Sequence, residues 1–217
     1  LLFGVVLGDT GYIGALKEIG VSRTMPVAGT YPLTTLLFEW LLFERVAGMA
    51  LLVGSCLVVA GVVCMTSSPN AAAIRPSRAR IGVALALGAA LCWGLSCALL
   101  KPASAHMSGI HANAVRMPLV VLILFLSIAL PRGLGSMRNL RLKPVLIVAA
   151  SGFVGMGLVS ILFVDALKDG SATKIVTLTS TSPLFAIVLA VIFLKEKLSR
   201  RALLGSALCL SGVVLVL

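Results

Sequence analysis

Apolar runs of roughly 20 residues follow one another through the chain with only short polar breaks. They extend from Leu1 to Leu16, Thr24 to Phe43, Val46 to Met65, Ile81 to Leu100, Ala112 to Leu130, Val145 to Leu167, Ile175 to Leu194 and Ala202 to Leu217. At about 1.5 Å per residue, a helix of that length matches the hydrocarbon thickness of a bilayer. Lipid offers backbone groups no partner, so a spanning segment must be a helix or part of a closed barrel. The runs lack the two-residue alternation of barrel strands. The prediction is an all-α polytopic membrane protein with eight transmembrane helices. Composition agrees, because 59% of the 217 residues are apolar and 12% charged, against roughly half and a quarter in soluble domains.

The 18 Lys and Arg outnumber the seven Asp and Glu, for a net charge of +11. The basic residues sit mostly between apolar runs, so the partner they suggest is an anionic bilayer surface; no basic stripe interleaved with aromatics points to nucleic acid. Cys56, Cys64, Cys92, Cys97 and Cys209 lie inside apolar runs and read as small hydrophobes, not as disulfides or metal ligands. No cofactor, phosphate loop, nucleophile elbow or paired-carboxylate pattern is present, which argues against an enzyme. Both ends fall in or beside apolar runs without a basic leader, and the chain is expected to be a fragment.

The segment from Thr66 to Arg80 has linker composition, with Pro69, Pro76 and several Ser and Arg. It separates 1–65 from 81–217, and the two parts repeat. A shift of 151 places Ala15-Leu16-Lys17-Glu18 on Ala166-Leu167-Lys168-Asp169, and Thr30-Tyr31-Pro32-Leu33 on Thr181-Ser182-Pro183-Leu184. Gly54-Ser55 falls on Gly205-Ser206, and Gly61-Val62-Val63 on Gly212-Val213-Val214. Five helices separate equivalent points, and an odd offset reverses the direction of crossing. The repeats are therefore expected to be inverted, as in many secondary transporters.

Several of these motifs together resemble the EamA family of the drug/metabolite transporter superfamily. They are Gly8-Asp9-Thr10-Gly11-Tyr12-Ile13-Gly14-Ala15-Leu16-Lys17, Gly20-Val21-Ser22-Arg23, Thr30-Tyr31-Pro32-Leu33 and Glu44-Arg45. A second copy runs through Ala166-Leu167-Lys168, Ser180-Thr181-Ser182-Pro183-Leu184-Phe185 and Lys195-Glu196-Lys197, while Trp93-Gly94, Lys101 and Arg116 resemble the start of a family repeat. The resemblance implies ten helices as two inverted five-helix units. This chain would supply the third to the tenth, as an incomplete three-helix repeat (1–65), a linker (66–80) and a five-helix repeat (81–217).

Ionisable groups within lipid are costly and mark candidate sites. Asp9 lies eight residues before Lys17, about 12 Å along a helix; lining a pathway and a structural hydrogen bond are both open to it. Glu39 near Glu44, and Asp165 near Lys168, read first as interfacial groups with local partners. Lys101 and Arg116 flank a polar turn holding His106 and His111, either as headgroup anchors or as a cationic rim for an anionic solute. Pro32 and Pro183 interrupt equivalent helices about a third of the way in. Proline at position 32 removes the bond to the Ala28 carbonyl, and at position 183 the bond to Thr179. The nearby Thr30, Tyr31, Thr34, Thr177, Thr179, Ser180, Thr181 and Ser182 supply hydroxyls for a midplane site, or satisfy themselves at a packing kink. Glycines seven apart at 54 and 61, and at 205 and 212, give close-packing faces toward another helix or a second subunit of a homodimer.

Orientation is in conflict. Alternating connections put 13 basic residues on the side of Lys17, Arg23 and the linker, and five on the side of Arg45, Lys101, Arg116, Lys168 and Lys174. That bias places the first side in the cytoplasm, whereas the resemblance implies the reverse. The function expected is a secondary carrier, in the export direction, in the cell membrane. It moves a small organic metabolite by alternating access, with Asp9, Tyr12, Trp93 and the hydroxyl clusters at the site. A non-transporting scaffold or remnant and a lipid-linked substrate flippase are the alternatives.

Overall fold

The computed structural model describes residues 2–44, 48–66, 76–126, 142–169, 171–182, 184–185, 188, 192 and 200–217. Among the described residues there is no strand. In chain order the elements are π1 (Leu2–Gly8), α1 (Asp9–Ile19), α2 (Val21–Ala28), α3 (Tyr31–Phe43), α4 (Met49–Thr66), α5 (Pro76–Ala103) and α6 (Gly109–Leu124). Then follow α7 (Leu142–Gly152), π2 (Phe153–Val159), α8 (Ser160–Asp169), α9 (Ala172–Thr179) and α10 (Arg200–Val216).

The expected run from Thr24 to Phe43 is not one helix. It breaks at Gly29 and Thr30, so Pro32 stands at the start of α3, where its missing N–H has no helical partner to lose. Ala28 is the last residue of α2, so the bond expected to be lost at its carbonyl falls where that helix ends. The α9 helix ends in the same way, with a turn at Ser180 and Thr181; Pro183 lies outside the described residues. Hydropathy registers neither break, because both occur inside apolar sequence.

Element boundaries recur at a displacement of 151. Leu2–Gly8 corresponds to Phe153–Val159, Val21–Ala28 to Ala172–Thr179, and the starts of α1 and α4 to those of α8 and α10. The most extensive helix pairing among the described residues, α4 with α10, has the same register. A Cβ on Gly61 would lie 2.6 Å from the Gly205 carbonyl oxygen, and one on Gly212 2.6 Å from that of Gly54. The helices therefore run antiparallel, with backbones in contact through glycine. Val58 and Cys209, themselves 151 apart, touch midway, where the Cys209 Sγ donates to the Val58 carbonyl at 3.6 Å. Both side chains are fully buried.

The long α5 packs on π1, α1, α2 and α3 and is the spine of the described structure. Two helical stretches among the described residues are long and apolar enough to cross a membrane, Arg78–Ala103 and Leu142–Lys168; Met49–Cys64, Gly109–Leu124 and Leu203–Val216 are shorter apolar helices. No residue of α7 or π2 is buried.

Candidate functional site

Three elements converge on Trp93. Its indole Nε1 donates to the Asp9 Oδ1 at 2.8 Å, which joins the middle of α5 to the π1–α1 junction. Tyr12 follows Asp9 by three residues, on the same helical face, and its ring centroid lies 5.2 Å from that of Trp93 at a 47° tilt. Tyr31, the first residue of α3, also meets Trp93, edge-on at 5.9 Å and 78°. Offset and edge contacts of this kind favour the rings' quadrupoles. Gly94 allows the approach, since a Cβ there would run into Thr34. The Thr34 hydroxyl contacts both the Tyr31 carbonyl at 3.0 Å and the Ala90 carbonyl at 2.7 Å, which fixes α3 against α5.

These rings form one wall of a cavity of about 190 Å³. Met25, Ala28 and Gly29 of the first helix break, Val62 of α4, and Ser180 and Ser182 of the second break complete its lining. The Ser180 and Thr179 hydroxyls stand beside the Tyr31 phenol. The two helix breaks thus meet across an aromatic-walled space; Asp9, hydrogen-bonded to the Trp93 of that wall, does not itself line it.

Most hydroxyls near the breaks donate within their own turns. Thr30 bonds the Val27 carbonyl, Thr35 that of Tyr31, Thr179 and Ser180 that of Val176, and Thr181 that of Leu178. Ser180 lines the cavity beside the Tyr31 phenol, while Thr30, Thr179 and Thr181 do not line it. Pro32 is buried.

The other charged candidates lie elsewhere. Asp165 Oδ1 accepts from the Gly109 amide at 2.8 Å and from Lys168 Nζ at 2.6 Å, capping α6. Lys101 shares a small cavity with Glu39. Arg116 does not flank the turn; it sits two turns inside α6, because that helix begins at Gly109. The turn itself exposes His106, while His111 is exposed in the first turn of α6, where its Nδ1 pairs with the Ser108 hydroxyl at 2.7 Å.

Glu39 has a role that sequence reasoning missed. It is 4% exposed, and its carboxylate accepts from the backbone amides of Ala172 and Thr173, each at 2.9 Å, and from the Thr173 hydroxyl. A carboxylate there complements the positive end of α9 and ties it to α3. A buried pair between the Ser55 and Thr177 hydroxyls, at 2.9 Å, joins α4 to the same helix.

Comparison with known proteins matches the EamA-like transporter family over residues 1–67 and 80–217. An uncharacterized transporter of Archaeoglobus fulgidus is 28% identical over 211 residues, covering 97% of this chain and 71% of that protein. The uncharacterized transporter YvbV of Bacillus subtilis is 27% identical over 179 residues, or 82% of this chain; the match spans 57% of its length. A solved crystal structure superposes with a TM-score of 0.78 over 99% of this chain and 76% of that one, at 19% identity, a likeness of fold alone.

Proposed function

The chain belongs to the EamA-like transporter family, within the drug/metabolite transporter superfamily, and is an integral membrane protein; from that premise we propose that it carries a small organic metabolite outward across the cell membrane through the cavity beside Trp93. The observation that carries this reading is the meeting of the two helix breaks, at Gly29 and at Ser180, on one aromatic-walled space. A site between corresponding interruptions of two halves suits alternating access, since rocking of one half against the other then opens it to either face.

The same proposal takes the chain as eight crossings from two inverted units, 1–65 and 81–217, joined by 66–80. The recurrence of element boundaries at 151 supports it, as does the pairing of α4 with α10. If Gly54 meets Gly212 and Gly61 meets Gly205, exchanging the two helices returns the same contacts, as a two-fold axis in the membrane plane requires. In this scheme Tyr12, Tyr31 and Trp93 hold the apolar body of the solute, and Asp9 takes a cationic group or a coupling ion. Ser180 and Ser182 accept from its polar edge.

Transport in proteoliposomes tests the assignment, using counterflow of a panel of radiolabelled small metabolites. Wild-type protein is expected to accumulate at least one of them, Trp93→Ala to lose most of that flux, and Asp9→Asn to lose any dependence on a proton or sodium gradient. Flux unchanged in both variants sinks the site; no flux of any solute favours a non-transporting scaffold.

A further inference from the structure

A second cavity, of about 240 Å³, opens between α5 and α6 and shares no lining residue with the Trp93 cavity. Leu99, Leu100, Met107 and Val115 give it apolar walls, and Arg116 and Ser96 are among its polar groups. Seven residues into α6, the Arg116 backbone lies about 10 Å along the axis from the helix start. A guanidinium at that depth is costly unless it is paired.

The fold pairs it poorly. Its Nη1 donates to the Asn113 Oδ1 at 3.3 Å, a neutral oxygen that also accepts from the Ser160 hydroxyl at 3.1 Å. The Arg116 Nε is buried without an acceptor, and so is the Nδ2 of Asn113, a residue only 6% exposed. Neither the Arg78–Glu18 nor the Lys168–Asp165 ion pair involves Arg116. A partly desolvated guanidinium with a buried N–H to spare, facing an apolar space, presents the planar fork that receives two oxygens sharing a negative charge. The walls then favour an apolar chain on that anion, and the mouth stays open, with Val115 56% exposed.

We propose that this cavity binds an anionic amphiphile, with its charged oxygens on Arg116 and its chain against Leu99, Leu100, Met107 and Val115. A free medium-chain carboxylate and an anionic phospholipid both present that chemistry. The inference does not rest on transport through the Trp93 cavity, and loss of flux in Trp93→Ala leaves it untouched.

The test uses the purified chain in phosphatidylcholine nanodiscs, with tritiated decanoate as the probe. Saturable binding is expected, with decanol and decylammonium competing roughly tenfold less well than decanoate and Arg116→Met weakening binding roughly tenfold or more. Val115→Trp blocks the mouth without touching the guanidinium and is expected to weaken binding comparably while leaving the unfolding temperature unchanged, which covers a misfolded Arg116 variant. Nanodiscs doped with phosphatidylglycerol separate the sources. Competition by this lipid in the wild type assigns the site to a bilayer lipid, and decanoate binding indifferent to it assigns the site to the free acid. Decanol binding as well as decanoate, or decanoate affinity unchanged in both variants, overturns the proposal.

Discussion

At the scale of single residues, two acidic side chains inside apolar sequence illustrate what neighbouring residues can and cannot reveal. Asp9 and Trp93 are bonded across 84 positions. Trp93→Phe keeps most of the ring contact but leaves the Asp9 oxygen without its donor, and is expected to destabilise the protein by about 1–3 kcal/mol. Asp9→Asn retains an acceptor and is expected to cost less; the order of the two unfolding midpoints in detergent checks this. Glu39→Ala strips three donors of α9 of their acceptor at once and is expected to cost at least about 2 kcal/mol, with Glu39→Gln intermediate. Both acids stand out in the sequence because charge inside an apolar run is conspicuous. Local spacing leaves the role of Asp9 open and gives Glu39 a structural role with local partners, whereas the α9 groups it accepts from lie 133 and 134 residues away. Tyr12, Tyr31 and Trp93 are legible as candidates; their stacking into one wall is not, because it depends on how α3 and α5 cross.

At the scale of elements, the sequence carries the glycine faces well and the helix breaks only in part. Seven-residue spacing puts Gly54 and Gly61 on one face, and the structure uses both against α10. Close packing there leaves no room, so Gly61→Leu must push α4 and α10 apart and is expected to cost about 1–3 kcal/mol or more. At Gly155 a Cβ would meet open space, with nothing within 4 Å, and Gly155→Ala is expected to be stabilising, by about 0.5–1 kcal/mol. Opposite signs for two glycines of one chain, read as unfolding temperatures in the same detergent, separate packing from propensity. Prolines at 32 and 183 mark the interruptions correctly to within a turn. The break itself falls earlier, at Gly29 and Thr30, because a proline is best tolerated just inside a new helix and the preceding glycine ends the old one.

For the molecule as a whole, the proposed inverted repeat makes a prediction that hydropathy alone does not. Gly20, in the turn between α1 and α2, and Ser171, the residue before α9, are 151 apart and occupy equivalent places. Parallel repeats would leave both on one face of the membrane; inverted repeats place them on opposite faces. Gly20 is exposed, with nothing within 4 Å of a Cβ, although its positive φ of 74° adds strain to any side chain. Ser171 caps α9 by accepting from the Lys174 amide at 3.0 Å, and its loss costs about 1 kcal/mol. With Cys56, Cys64, Cys92, Cys97 and Cys209 replaced, single cysteines at 20 and 171 can be treated in sealed cells with a membrane-impermeant maleimide. One of the two is expected to label only from outside, and the other only after the membrane is opened. The identity of the outside residue also decides the orientation. Basic residues crowd the Gly20 face, and the charge rule places that face in the cytoplasm, so labelling at Ser171 alone follows from the charges and labelling at Gly20 alone from the arrangement the family resemblance implies. Labelling of both from the same side contradicts inversion under either orientation, and with it the reading of the Trp93 cavity as a site reached alternately from the two faces.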